Sequence, residues 1–211
     1  MCLTAKASLF AFIILIVIAI LLYIRNIKYD RIFASFILAV SLIQLTEYLF
    51  HSKLISSQIG GKMIFTILWF QVLVLAIGIQ ILYQTTLTSI WMILFTIIFI
   101  IALYYVVQHI FEVTTGYGHL IWSQQDINDN ILGNTKFIYL LGLFVPLFII
   151  LYYSEWSDIS MWIIIVTFIL SILLVRWIYP RMVFSSLWCY SAVGVAFVIW
   201  LVGAFYEHKV K

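Results

Sequence analysis

Apolar residues run along this chain in long blocks separated by short polar stretches. Seven blocks stand out, at 8–24, 32–50, 63–83, 89–107, 137–153, 161–178 and 183–206. Each is about 17 to 24 residues long, which is what a helix needs to cross a bilayer. Only helices and closed barrels satisfy every backbone group in lipid, and blocks this long and continuous predict helices. The expected fold is all-α: a polytopic transmembrane bundle of seven helices, in a single domain over 1–211. One connection is longer and polar, 108–136, with Gly116, Gly118, Gly133 and three asparagines. Pro180 and Arg181 mark the turn before the last block.

Composition strengthens this picture. The chain is 66% hydrophobic and 9% charged, whereas a soluble domain carries about 25% charged residues. The bilayer is therefore the expected partner. The net charge of +3 is scattered and makes no nucleic-acid footprint. A homo-oligomer is compatible with such a bundle. Two cysteines, Cys2 and Cys189, make no disulfide framework. The first block lacks a small-residue cleavage site and reads as a retained helix.

Let face A be the membrane face at which the first block begins, and face B the other. An odd number of crossings puts the termini on opposite faces. One lysine, Lys6, precedes the first block, and Arg25, Lys28 and Arg31 follow it. The positive-inside rule then predicts an external N-terminus and a cytoplasmic C-terminus.

Candidate chemistry gathers at the end of the second block. At 100° per residue Gln44, Glu47 and His51 fall on one helix face. A carboxylate inside the membrane costs about 2.5–3.5 kcal/mol on insertion scales, and such groups usually have a partner or a function. Trp69, Gln71, Gln108, His109, Glu112, His119, Arg176, Trp188, Cys189 and Cys2 are assigned to the same face. Face B is expected to carry much less. The predicted site is thus a face-A cup with Gln44, Glu47 and Gln71 as ligand groups, Trp69 and Trp188 as walls, and His119, Cys189 and Cys2 at its rim. Each has a plainer reading. Glu47 would serve equally to lock helices against Arg176 or Gln71, the histidines as interfacial groups, the serines and glycines of the last block as packing residues, and Cys189 as a small buried hydrophobe.

His51, His109, His119, Cys2 and Cys189 are weak metal-ligand candidates, because no pair has a diagnostic spacing such as Cys-x-x-Cys or His-Glu-x-x-His. Haem would require facing histidines, for which only His51 and His109 are suited. Retinal is disfavoured, since the last block contains no lysine for a Schiff base. No Asp-Arg-Tyr-like element of a G-protein-coupled receptor follows the third block, and the His-x-x-x-His pair of a seven-helix zinc hydrolase is missing from the sequence.

Three short elements carry a resemblance: Met1-Cys2-Leu3-Thr4-Ala5-Lys6-Ala7-Ser8, Gln44-Leu45-Thr46-Glu47 and Ser186-Leu187-Trp188-Cys189. Together they resemble an uncharacterised family of small polytopic membrane proteins with a Met-Cys-Phe-Ser-Ala-Thr-Ala-Ser-like start, a Gln-x-x-Glu in the second helix and a Ser-x-Trp-Cys in the last. His119 matches the family's mid-chain histidine. This chain departs at Leu3, Lys6 and Tyr48. The resemblance implies motif positions and no particular chemistry.

Three functions compete at this level. The first is binding or conduction of a proton, ion or small polar solute at the Gln44/Glu47/Gln71 patch. The second is an integral-membrane enzyme using Cys2, Cys189, His119 or Glu47, with or without a metal. The third is an accessory subunit of a membrane complex whose polar residues only join helices.

Overall fold

The structure is a computed structural model. It describes residues 4–27, 29–116, 119–124, 138–139, 141–146, 149, 162–164, 166–167, 169–170, 173 and 192–204. Four long helices come first: α1 (Ala5–Arg25), α2 (Asp30–His51), α3 (Ser57–Tyr83) and α4 (Thr86–Gln108). All four are long and apolar enough to cross a membrane, and a shorter apolar helix covers Ala192–Ala204. The chain is an integral membrane protein with at least these four spanning helices.

Helix boundaries fall outside the apolar blocks because caps, rather than hydropathy, end a helix. Thr4 caps α1 by accepting from Ala7 N at 3.2 Å. Thr85 and Thr88 form a reciprocal capping box at the start of α4. The largest difference is α3. It begins at Ser57, six residues before the apolar block, because Ser56 accepts from Ile59 N and the helix runs through Gly60-Gly61-Lys62. Lys62 then places its Nζ 3.5 Å from the Val107 carbonyl at the end of α4, where a helix dipole favours a cation. Between α2 and α3 the chain turns through a Schellman motif. Leu54 N donates to Leu49 O and Lys53 N to Phe50 O, with Lys53 at φ 58°.

The segment expected to be an irregular polar loop holds a β-hairpin. Strand β1 (Phe111–Gly116) pairs antiparallel with β2 (His119–Gln124), with Phe111 opposite Gln124 and Gly116 opposite His119. Among the described residues the fold is therefore helical with one two-stranded hairpin. The cue was local: Val113-Thr114-Thr115 and Leu120-Ile121-Trp122 are β-prone runs on either side of a glycine-containing turn. They are too short to register in a search for membrane spans. Isolated two-stranded hairpins are marginal in water, and this one rests on α3 through Phe111, which is buried with its ring 4.6 Å from that of Phe65.

Helix α2 is the most enclosed span, and α4 the least. Lipid is as apolar as leucine, so burial alone does not drive helices together in a bilayer; close packing does. Glycines supply it at three points. A Cβ on Gly78 would come within 2.9 Å of Ile32, one on Gly142 within 2.5 Å of Val72 and 2.7 Å of Phe95, and one on Gly203 would overlap the Arg25 guanidinium. Gly194 was expected to allow close packing as well, but among the described residues a Cβ there would meet nothing within 4 Å.

Face B is more polar than the sequence implied. Arg25 binds Asp30 in a bidentate pair, Nε to Oδ2 and Nη2 to Oδ1, both 2.7 Å. Its Nη1 donates to the Trp200 carbonyl at 2.5 Å, and Ile27 N donates to Asp30 Oδ2. Asp30 is wholly buried. Nearby, Tyr83 donates to Tyr29 at 3.2 Å, and Thr88 donates to Gln80 Oε1 at 2.6 Å. Asp30 escaped notice because it stands outside the apolar block, next to a loop rich in cations.

Candidate functional site

The α2 stripe points inward at the depths that matter. Gln44 and Glu47 are wholly buried, and His51 at the helix end is half-buried. Glu47 therefore faces the bundle and not the acyl chains, as the shared face of Gln44, Glu47 and His51 requires. Neighbouring hydroxyls on α2 turn back onto their own helix: Ser41 donates to Leu38 O and Thr46 to Leu42 O. This satisfies them internally, so Gln44 and Glu47 are the fully buried polar side chains that α2 presents to its neighbours beyond Ser41.

Gln71 on α3 is also wholly buried, but at a different level. Ile32 lies against Gly78, and Ile43 packs with Ile67, which sets the register of these antiparallel helices. On that register Gln71 is level with about Ala39, roughly 7 Å deeper than Gln44 and roughly 12 Å deeper than Glu47 at 1.5 Å per residue. The sequence had put Gln71 in the face-A third of its helix. Because α3 starts earlier, Gln71 is near its middle. Its Oε1 accepts from the Tyr139 hydroxyl at 2.8 Å. Its Nε2 is buried and has no hydrogen-bond partner among the described residues. Gln71 does not hydrogen-bond to Glu47 or Gln44.

Trp69 is buried, and its ring meets that of Tyr139 edge-on, 6.2 Å between centroids. Phe65 lies 6.3 Å from Trp69 and 4.6 Å from Phe111. Aromatic rings thus run from the hairpin to the level of Gln71. Tyr139 is the residue that sequence reasoning missed. It stands at the start of an apolar block, where tyrosines usually mark the membrane interface, so nothing local set it apart.

Of the remaining candidates, His109 and His51 make local contacts of their own. His109 caps α4, stacks on Tyr105 at 3.9 Å and places Nδ1 3.0 Å from the Tyr105 carbonyl. His51 packs edge-on against Phe50, and its Nε2 is buried without a hydrogen-bond partner among the described residues. His119 opens β2. Cys2, Trp188, Cys189 and Arg176 lie outside the described residues, so any pairing of Glu47 with Arg176 does too. Among the described residues no group of three His, Cys, Asp or Glu side chains is arranged to hold a metal ion.

Below Gln71 the interior becomes apolar. Val72, Leu75, Ala76 and Ile79 of α3 pack with Phe33, Ala34 and Ile37 of α2 and with Leu15, Ile18 and Leu22 of α1. This plug covers about 13 Å between Ala39 and Asp30 along α2. The described interior is polar at face A, dry in the middle and ion-paired at face B. No known protein family matches the chain, and no curated protein matches it either.

Proposed function

We propose that this integral membrane protein binds a proton, ion or small polar solute in a one-sided site entered from face A. Glu47 is its ligand or titrating group, Gln44 sits beside it on the same face, and Gln71 with Tyr139 marks its floor. The observation that carries this reading is the complete burial of Glu47 and Gln44 in a membrane-spanning helix. Such burial is costly in lipid and typical of functional sites. The apolar plug below Gln71 favours binding over conduction, because no ladder of polar groups leads from Gln71 to Asp30 among the described residues.

A seven-span bundle remains the architecture we propose. Arg25, at the face-B end of α1, reaches the Trp200 carbonyl near the end of the 192–204 helix. That contact supports opposite faces for Thr4 and Ala204 and hence an odd number of crossings. The charge flanking α1 supports an external N-terminus. Membership of the Met-Cys/Gln-x-x-Glu/Ser-x-Trp-Cys family is proposed on the motifs alone.

Infrared difference spectroscopy on protein reconstituted in lipid tests the site. Changing pH, cation or solute should alter a carboxyl band that disappears in Glu47→Gln. If wild type and Glu47→Gln give the same difference spectra under every condition, Glu47 belongs to helix packing and the reading fails. Ion flux through reconstituted vesicles that is lost in Glu47→Gln would shift the reading from binding to conduction.

A further inference from the structure

Gln71 is the least expected polar group in the described interior. It stands near mid-helix in α3, level with the apolar residues Ala39 and Val40 of α2. Buried polar groups are almost always hydrogen-bonded, and an exception asks for an occupant. The Tyr139 hydroxyl donates to Oε1, which fixes the amide with its Nε2 turned away from that bond. Nε2 is fully buried with no hydrogen-bond partner among the described residues. The site therefore offers N–H donors at its floor, beside Tyr139, whose ring Trp69 meets edge-on.

We propose that Gln71 Nε2, with Tyr139 bound to the same amide and Trp69 packed on the Tyr139 ring, is the deep subsite of the bundle and takes the carbonyl oxygen of a neutral ligand. This deepens the one-sided binding site proposed above and rests on it. The chemistry of the donor excludes the other classes. A metal cation needs about six oxygen ligands, and Gln71 brings a single oxygen that already accepts from Tyr139. An anion would carry a full charge past Glu47 to the middle of the bilayer, where unpaired charge is most costly. A neutral carbonyl accepts one or two N–H bonds without bringing a charge, and a planar group attached to it can lie against the Trp69 ring. The carbonyl could arrive from water at face A, as in a small amide, or from the membrane, as in a quinone.

The test uses full-length protein in lipid nanodiscs with 15N-labelled glutamine side chains. The Gln71 amide resonance is assigned by its loss in Gln71→Met. Two probes are titrated, acetamide from water and a decyl-substituted benzoquinone from lipid, with potassium chloride as control. One of the carbonyl probes should shift the Gln71 resonance saturably, and the one that does so identifies the source. Tyr139→Phe should weaken that response about fivefold to tenfold, the loss expected for one neutral hydrogen bond. Gln71→Met should weaken binding at least as much, read from quenching of tryptophan fluorescence by the quinone or from retention of labelled acetamide. A resonance that ignores both carbonyl probes, that moves equally with potassium chloride, or that shows only a cross-peak to water overturns the proposal. The wild-type titration decides this even if Tyr139→Phe does not fold, and Gln71→Leu supplies the assignment if Gln71→Met does not fold. If Glu47 still responds in the infrared experiment while Gln71 is silent, the deep subsite falls and the face-A site stands. If neither responds, both fall.

Discussion

The two ends of this bundle bury polar groups in opposite ways. At face B, Arg25 and Asp30 form a bidentate pair, and the guanidinium also holds the Trp200 carbonyl while lying against Gly203. Every partner is supplied by the protein, and the result joins the α1–α2 turn to the 192–204 helix. Toward face A, Gln44, Glu47 and Gln71 are equally buried. The Gln71 amide donor has no hydrogen-bond partner among the described residues. A closed set of partners points to architecture, whereas an open donor in a dry interior points to a ligand. Burial alone does not separate the two cases; the list of partners does.

The largest effect should come from opening the face-B lock. Arg25→Ala strands a buried carboxylate, and we expect about 3–5 kcal/mol of destabilisation, measured by thermal or denaturant unfolding in detergent. The double variant Arg25→Leu/Asp30→Leu should be more stable than Arg25→Ala alone, because no charge is left buried. If the single and double variants lose the same amount, the lock is not an isolated pair and the contrast between the ends weakens.

Packing should come next. In Gly142→Ala the new methyl meets Val72 and Phe95, and overpacking typically costs about 1–3 kcal/mol. Gly194→Ala is the internal control: with nothing nearby, its effect should stay within about 0.5 kcal/mol. Equal melting temperatures for the two variants would contradict the placement of the helical residues 141–146 between α3 and α4.

Glu47→Gln sharpens the comparison most directly. It keeps the shape and an acceptor oxygen while removing the ionisable carboxyl, so ligand response should be lost at a smaller cost in stability than that of Arg25→Ala. A loss of 3 kcal/mol or more would mean that Glu47 is held in an ion pair like Asp30, and the two ends would then be alike. The smallest expected effect is Thr85→Ala, which removes the α4 cap for about 1 kcal/mol and should leave both polar regions intact. A change in the Glu47 or Gln71 signals in that variant would show that α4 is coupled to the site.

Membrane insertion, the positions of the first four spans and the inward stripe on α2 were all legible in the sequence. Lipid imposes one simple rule, a run of apolar residues long enough to cross, and a helix turns spacing into direction. Gln44 and Glu47 followed from that rule, because they lie on one helix and need no knowledge of its neighbours. The hairpin left a weaker trace in its β-branched runs. Nothing local revealed the partnership of Tyr139 with Gln71, the meeting of Arg25 with Trp200, or the reason that Gly142 is a glycine. Those contacts join residues up to 175 positions apart in the chain. Sequence periodicity reports which face of a helix is apolar, but not which helix covers it or at what depth. Depth was set by helix register, and register came from Ile32 against Gly78 and from a cap at Ser56 that starts α3 six residues early. Only packing could place Gln71 below Glu47 rather than beside it.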